Sequence, residues 1–111
     1  TSEKISMRID ATIEGMATSP ATTATFCATL VDEWVRLGVA HAVVSPGSRS
    51  TPMAIALASN SKIALHVFHD ERSASFAALG IGLQSGTPAV LLCTSGTAAA
   101  QFFAAVIEAN Y

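Results

Sequence analysis

A chain of 111 residues is one domain's worth of protein, and half of it is apolar. Six basic and eight acidic residues make it 13% charged, against a usual value of roughly 25%, which excludes a disordered chain. The net charge of −2, with two lysines, gives no basic face for nucleic acid.

The charges are uneven. Glu3, Lys4, Arg8, Asp10 and Glu14 crowd the start, and no charge falls between Ser73 and Ile107. That uncharged run is not a membrane span. Gly80, Gly82, Gln84, Ser85, Gly86, Thr87 and Pro88 interrupt it, and Thr94–Thr97 interrupt it again, so no stretch of about 20 apolar residues survives. The polar start also lacks the apolar core of a signal peptide. Cys27 and Cys93 are too few for a disulfide scaffold, and their apolar neighbours predict free, buried thiols in a reducing cytoplasm. Burial against further protein is the expected reason for so little charge.

Residues 1–19 differ in composition and read as a tail or leader, with the domain over 20–111. Ser19 is the predicted N-cap of a first helix and Pro20 its first residue. Phe26, Leu30, Trp34 and Leu37 recur at helical spacing and predict its buried face, and Gly38 its stop. Val39–Val44 reads as a strand, Ser45–Ser50 as a loop, and Pro52 to about Ser59 as a short helix. Ile63–Phe68 is a second strand. A helix capped by Asp70 runs to about Gly86, with Gly80 and Gly82 allowing close packing. Ala89–Cys93 is a third strand, Thr94–Thr97 a turn, and an alanine-rich helix follows to the end.

Strands alternating with helices predict an α/β fold, a parallel sheet with helices on both faces. Continuously apolar strands predict that both faces are covered. Ligands of such sheets bind beyond the carboxyl ends of the strands. Three polar clusters follow the three strands directly: Ser45–Thr51, His69–Arg72 and Thr94–Thr97. A parallel sheet delivers all three to one edge, which is the strongest physical pointer to a site.

Ser45-Pro-Gly-Ser-Arg-Ser50 joins a tight turn, hydroxyls and one guanidinium ahead of a helix start, which suits a carboxylate or phosphate. An ordinary turn with Arg49 paired to a local carboxylate explains it equally well. It lacks the P-loop pattern. Asp70 as a cap and Glu71 at the positive end of a helix explain the second cluster blandly, although Glu71 opens a helix in which Ser73–Gly86 carry no charge, a setting where a carboxylate needs a specific partner. Capping accounts for one hydroxyl of Thr94-Ser-Gly-Thr97, not three. Gly80-Ile-Gly-Leu-Gln-Ser-Gly86 precedes a strand, so it is no dinucleotide fingerprint. His66 and His69 face opposite ways on a strand, His41 has no evident partner, and no zinc spacing occurs.

Ser45-Pro-Gly-Ser-Arg-Ser-Thr-Pro52, Asp70-Glu-Arg72 before a long Ala/Gly-rich helix, Thr94-Ser-Gly-Thr-Ala98 and Glu108-Ala-Asn110 together resemble one family. These are the thiamine-diphosphate-dependent synthases that make 2-succinyl-5-enolpyruvyl-6-hydroxy-3-cyclohexene-1-carboxylate in menaquinone biosynthesis. The resemblance covers roughly residues 21–111. It implies most of an N-terminal pyrimidine-binding domain, incomplete at its end. Mg²⁺ and the cofactor diphosphate would be held by a domain absent from this chain, so no metal ligand is assigned here. By position, Glu71 matches the glutamate that hydrogen-bonds N1′ of the aminopyrimidine and promotes deprotonation of the thiazolium carbon. Thr94, Ser95, Gly96 and Thr97 match the turn near the pyrimidine, and Ser48 and Arg49 match contacts to the isochorismate carboxylate. The implied reaction releases CO₂ from 2-oxoglutarate and adds the succinyl unit to isochorismate. The implied assembly is a cytoplasmic homodimer with the site shared between subunits, further pairing into tetramers being left open. Gln101 departs from the family's Asn and is left out of the site. Two other readings stay open: an acetolactate-synthase-like enzyme, which would share Glu71 without needing Arg49, and a non-catalytic α/β module that binds an anion or a partner.

Overall fold

A computed structural model of the chain describes residues 19–111; the expected leader lies, apart from Ser19, outside the described residues. Helix α1 spans Pro20–Arg36. The Ser19 hydroxyl accepts from the Thr22 amide at 3.1 Å, and Pro20 sits where a missing N–H costs nothing. Arg36 closes the last turn and pairs with Asp32 at 2.9 Å and, more loosely, Glu33 at 3.8 Å, exposed contacts of small energetic weight. Strand β1 (His41–Val44) follows, then a single 3-10 turn over Ser48–Ser50 and helix α2 (Thr51–Ser59). Strand β2 (Ala64–Val67), helix α3 (Glu71–Ser85), strand β3 (Val90–Leu92), a 3-10 segment over Gly96–Phe102 and helix α4 (Phe103–Asn110) complete the order.

The three strands form one parallel sheet in the order β2-β1-β3, as the alternation predicts. Helices carry the crossovers that parallel neighbours require. β1 is the centre, with Ala42, Val43 and Val44 buried. Its alternating side chains divide the core. Ala42 and Val44 join Val31 of α1, Leu57 of α2 and Ile63 on one face. Val43 joins Ala74 and Ala78 of α3 on the other. Alanines let α3 lie close to the sheet, which fixes where its first residue, Glu71, emerges.

Four expectations are corrected. Phe26 and Leu37 are 65% and 79% exposed, whereas Cys27 and Val31 are buried. One residue turns a helix by about 100°, and α1 presents its slimmer side to α2 and the sheet; of the predicted face, Trp34 packs on the core. β2 is not covered on both faces, since Leu65 and Val67 are exposed. Both share a face with Ala42 and Val44, where α1 and α2 close over β1 and stop short of the edge strand. The alanine-rich segment begins as a 3-10 helix and turns α-helical only at Phe103. Gly80 and Gly82 have no close neighbour among the described residues beyond a 4.0 Å approach to the Thr87 carbonyl, so tight packing does not explain them. The predicted stops do hold: Gly38 and Gly86 take left-handed conformations, φ +95° and +73°, which glycine adopts without a Cβ clash.

His41, expected to be alone, has a partner. Register places it on the same face as His66 of β2. His41 Nδ1 and His66 Nε2 lie 3.1 Å apart, with stacked rings 5.3 Å between centroids. Among the described residues no cluster of three metal-ligating side chains occurs, and no helix is long and apolar enough to cross a membrane.

Candidate functional site

The three polar clusters meet at the carboxyl edge of the sheet. The register runs one rung past the strands: the Ser45 amide donates to the Leu92 carbonyl at 2.8 Å, and the Phe68 amide to the Val44 carbonyl at 3.0 Å. Ser45, Phe68 and Cys93 therefore form a last rung, and alternation turns their side chains toward α3. Phe68 packs with Val43 and Ala74. Ser45 is 1% exposed, yet its Oγ has no hydrogen-bond partner. A buried hydroxyl left without a partner is costly, and here it sits where a ligand's polar atom would be useful.

Above this rung α3 begins. The Asp70 carboxylate accepts from the Ser73 amide at 2.9 Å and from the Ser73 hydroxyl at 2.6 Å, the cap that the sequence predicts. Those bonds hold the Asp70 carboxyl below its ordinary value of 3.8, with a smaller contribution from the Arg72 charge. Asp70 is thus committed to the helix, which leaves Glu71 as the free carboxylate of the pair. Glu71 is half-buried, and no ion pair or side-chain hydrogen bond among the described residues engages it. Its charge is felt across the edge: the Cys93 thiol is pushed up by burial and further by Glu71. Cys93, expected to be buried, is only partly so.

The first and third clusters interlock. A Cβ placed on Gly47 would strike Thr94 Cβ and lie 2.7 Å from its Cγ2 and Oγ1. Gly47 is extended, φ −167°, so it is glycine for space and not for conformation. Ser50, buried, donates to the Gly47 carbonyl at 2.9 Å and ties the turn down. Arg49 then reaches across, its Nη1 donating to Ser95 Oγ at 3.0 Å. The local-carboxylate partner considered for Arg49 is not what it meets. Gly96 has φ +82°, which turns the chain sharply into the 3-10 segment and exposes Ser95 and Thr97.

Six of the seven predicted site residues are thereby joined or adjacent. Glu71 faces the end of β3, Thr94–Thr97 is continuous with that end, and Arg49 is bonded to Ser95. Ser48 lies on the exposed side of the 3-10 turn, and no side-chain hydrogen bond among the described residues links it to the others. Ser45 and Cys93 were not singled out from sequence. Their signal was positional, as the residues at the ends of two strands that a parallel register sets side by side.

The residues fit a bound aminopyrimidine: an unpaired, half-buried carboxyl group able to share a proton with a ring nitrogen, at the same sheet edge as a partnerless buried hydroxyl. They offer no metal ligand set among the described residues. Residues 24–111 match the family described as "Thiamine pyrophosphate enzyme, N-terminal TPP binding domain". A Thermobifida fusca protein named 2-succinyl-5-enolpyruvyl-6-hydroxy-3-cyclohexene-1-carboxylate synthase is 58% identical over 81 residues, 73% of this chain and 15% of that protein. Proteins of the same name from Bacillus pumilus (54% over 87 residues, 78% of this chain) and Chlorobaculum tepidum (52% over 88 residues, 79%) are each matched over 15% of their own length. The chain thus spans about 15% of the curated relatives it matches. With the fold, the unpaired glutamate and the family match in agreement, the chain belongs to the N-terminal TPP-binding domains of thiamine pyrophosphate enzymes.

Proposed function

We propose that this chain is the pyrimidine-binding part of a thiamine-diphosphate-dependent synthase that releases CO₂ from 2-oxoglutarate and transfers the succinyl unit to isochorismate, a step of menaquinone biosynthesis. The observation that carries it is the delivery of Glu71, at the start of α3, and of the bonded Arg49–Ser95 pair to one edge of the parallel sheet. The names and 52–58% identities of the relatives support the substrate pair.

When bound, thiamine diphosphate supplies the carbon nucleophile and the electron sink for decarboxylation. Glu71 is suited to hold a proton with the ring nitrogen of its aminopyrimidine. Glu71 opens α3 at the carboxyl edge of the sheet, where its carboxyl group can share a proton with that nitrogen and take it back. The Thr94–Thr97 turn, held against Gly47, walls the ring-binding side. Ser48 and Arg49 bind the carboxylate of isochorismate. A domain outside this chain holds Mg²⁺ and the diphosphate, and the partner subunit of a cytoplasmic homodimer completes the site.

The test is an assay of the full-length protein with 2-oxoglutarate and isochorismate, with and without thiamine diphosphate and Mg²⁺. Glu71→Gln is expected to lower CO₂ release by about 10²-fold or more, the scale of a lost proton-transfer group, with the circular-dichroism spectrum unchanged. Near-normal release would remove Glu71 from this role. Arg49→Ala is expected to impair isochorismate use more than CO₂ release.

A further inference from the structure

We propose that Ser95 is the positioning residue for Arg49, fixing its guanidinium at the sheet edge so that the remaining N–H donors meet a substrate carboxylate. The proposal rests on the synthase reading above and gives Ser95 a role distinct from contact with the cofactor.

Three observations point this way. Ser95 occupies the N-cap position of the 3-10 segment but makes no capping bond. A serine there ordinarily turns its hydroxyl to the helix amides; this one instead accepts from Arg49 Nη1, 46 residues away in sequence, at 3.0 Å. The backbones on either side are also locked together, because Gly47 is packed against Thr94 and Ser50 ties the turn through the Gly47 carbonyl. Ser95 and Arg49 therefore face each other from segments that cannot drift apart. Finally, Arg49 is exposed, and no carboxylate among the described residues pairs with it.

An arginine side chain loses rotamer freedom when held in one place. Free in solution, Arg49 would meet that cost on binding each substrate molecule. The Ser95 bond meets it in advance and uses one of the five N–H donors of the planar fork, leaving the others for the two oxygens of a carboxylate. A hydroxyl suits the task because it accepts the bond without neutralising the cation. An aspartate in its place would compete with the substrate.

The test is a double-mutant cycle in the full-length protein: Ser95→Ala, Arg49→Ala and both together, with Ser95→Thr as the conservative variant. The readouts are KM for isochorismate at saturating 2-oxoglutarate, and the apparent KM for thiamine diphosphate. Ser95→Ala should raise KM for isochorismate about tenfold, the scale of one hydrogen bond to a charged group. Ser95→Thr should restore it to within about twofold. In the Arg49→Ala background the same Ser95→Ala change should move it by less than about twofold, since a residue acting through another has nothing left to position. An equal factor in both backgrounds overturns the proposal. So does a rise confined to the KM for thiamine diphosphate. Absence of isochorismate-dependent turnover in the wild type overturns the synthase reading, and this proposal with it, whereas an active wild type with additive effects overturns this proposal alone.

Discussion

Gly47→Ala tests whether the site edge is as tightly built as its geometry indicates. Gly47 is extended, φ −167° and ψ 156°, a conformation alanine adopts freely, so any effect must come from the added methyl. That methyl would strike Thr94 Cβ and lie 2.7 Å from Cγ2 and Oγ1, where carbon contacts settle at about 3.5–4.0 Å. The Cβ of Thr94 is fixed by its own backbone and no rotamer moves it aside, so the two segments must separate by about 1 Å to reach that range. Overpacking of this kind costs about 1–3 kcal/mol. The same displacement would stretch the Arg49–Ser95 bond from 3.0 Å to about 4 Å, beyond hydrogen-bonding range. The variant should unfold several degrees lower by thermal circular dichroism, and its KM for isochorismate should rise as in Ser95→Ala. Adding Thr94→Gly removes the opposing Cβ and should recover part of the lost stability. An alanine variant with unchanged Tm and unchanged KM would refute the close packing of these loops.

Cys93 reports on Glu71. Burial and the Glu71 charge both push its thiol above the ordinary value of 9.0, so alkylation by iodoacetamide in the cofactor-free protein should be slow at pH 7.5. Glu71→Gln removes one of the two causes and should speed Cys93 modification, read by peptide mass mapping; an unchanged rate would place Glu71 too far from β3. Asp70 supplies a pH signature. Its folded-state carboxyl lies below 3.8 because of the Ser73 bonds, so its contribution to stability is complete above that value and is lost as pH falls through the lower folded one. Asp70→Asn keeps the capping oxygen and removes the titration; its stability should therefore fall less steeply than the wild type's below pH 4, and a parallel fall would show that the cap carries no such linkage.

Helix ends were the most legible part of the fold, because caps are local chemistry: Ser19, Asp70, Gly38 and Gly86 each act within one turn of themselves. The parallel sheet followed from alternation. The inward face of α1 did not follow, since Phe26 and Cys27 are both apolar and only the position of α2 decides between them. His41 and His66 were read apart because their pairing depends on a register of His41 with Ala64, which no spacing within either strand reveals. Of the site, the meeting of three clusters was legible from topology alone. The pairing of Arg49 with Ser95, and the absence of room between Gly47 and Thr94, depend on how two loops settle against each other. The orphaned Ser45 hydroxyl was illegible for the same reason: serine at a strand end is ordinarily solvated, and only the packing of α3 over that rung buries it.

The scarcity of charge, set beside the site, has a chemical consequence. Arg49 and Glu71 stand at the same sheet edge with opposite signs, and a direct pair between them would have consumed both. They are held by different neighbours. Ser95 holds the guanidinium over the β1–β3 side, while Asp70 anchors the start of α3 so that Glu71 faces Cys93. Neither holding group pairs with the charge it positions: the Ser95 hydroxyl is neutral, and the Asp70 carboxylate accepts from Ser73. Glu71, half-buried, loses hydration without gaining a partner, which is unfavourable for folding, while Arg49 stays exposed. A ligand that brings a carboxylate for Arg49 and a ring nitrogen to share a proton with Glu71 would give both a partner. The proposed reaction, with a carboxylate substrate on an aminopyrimidine cofactor, would present that combination.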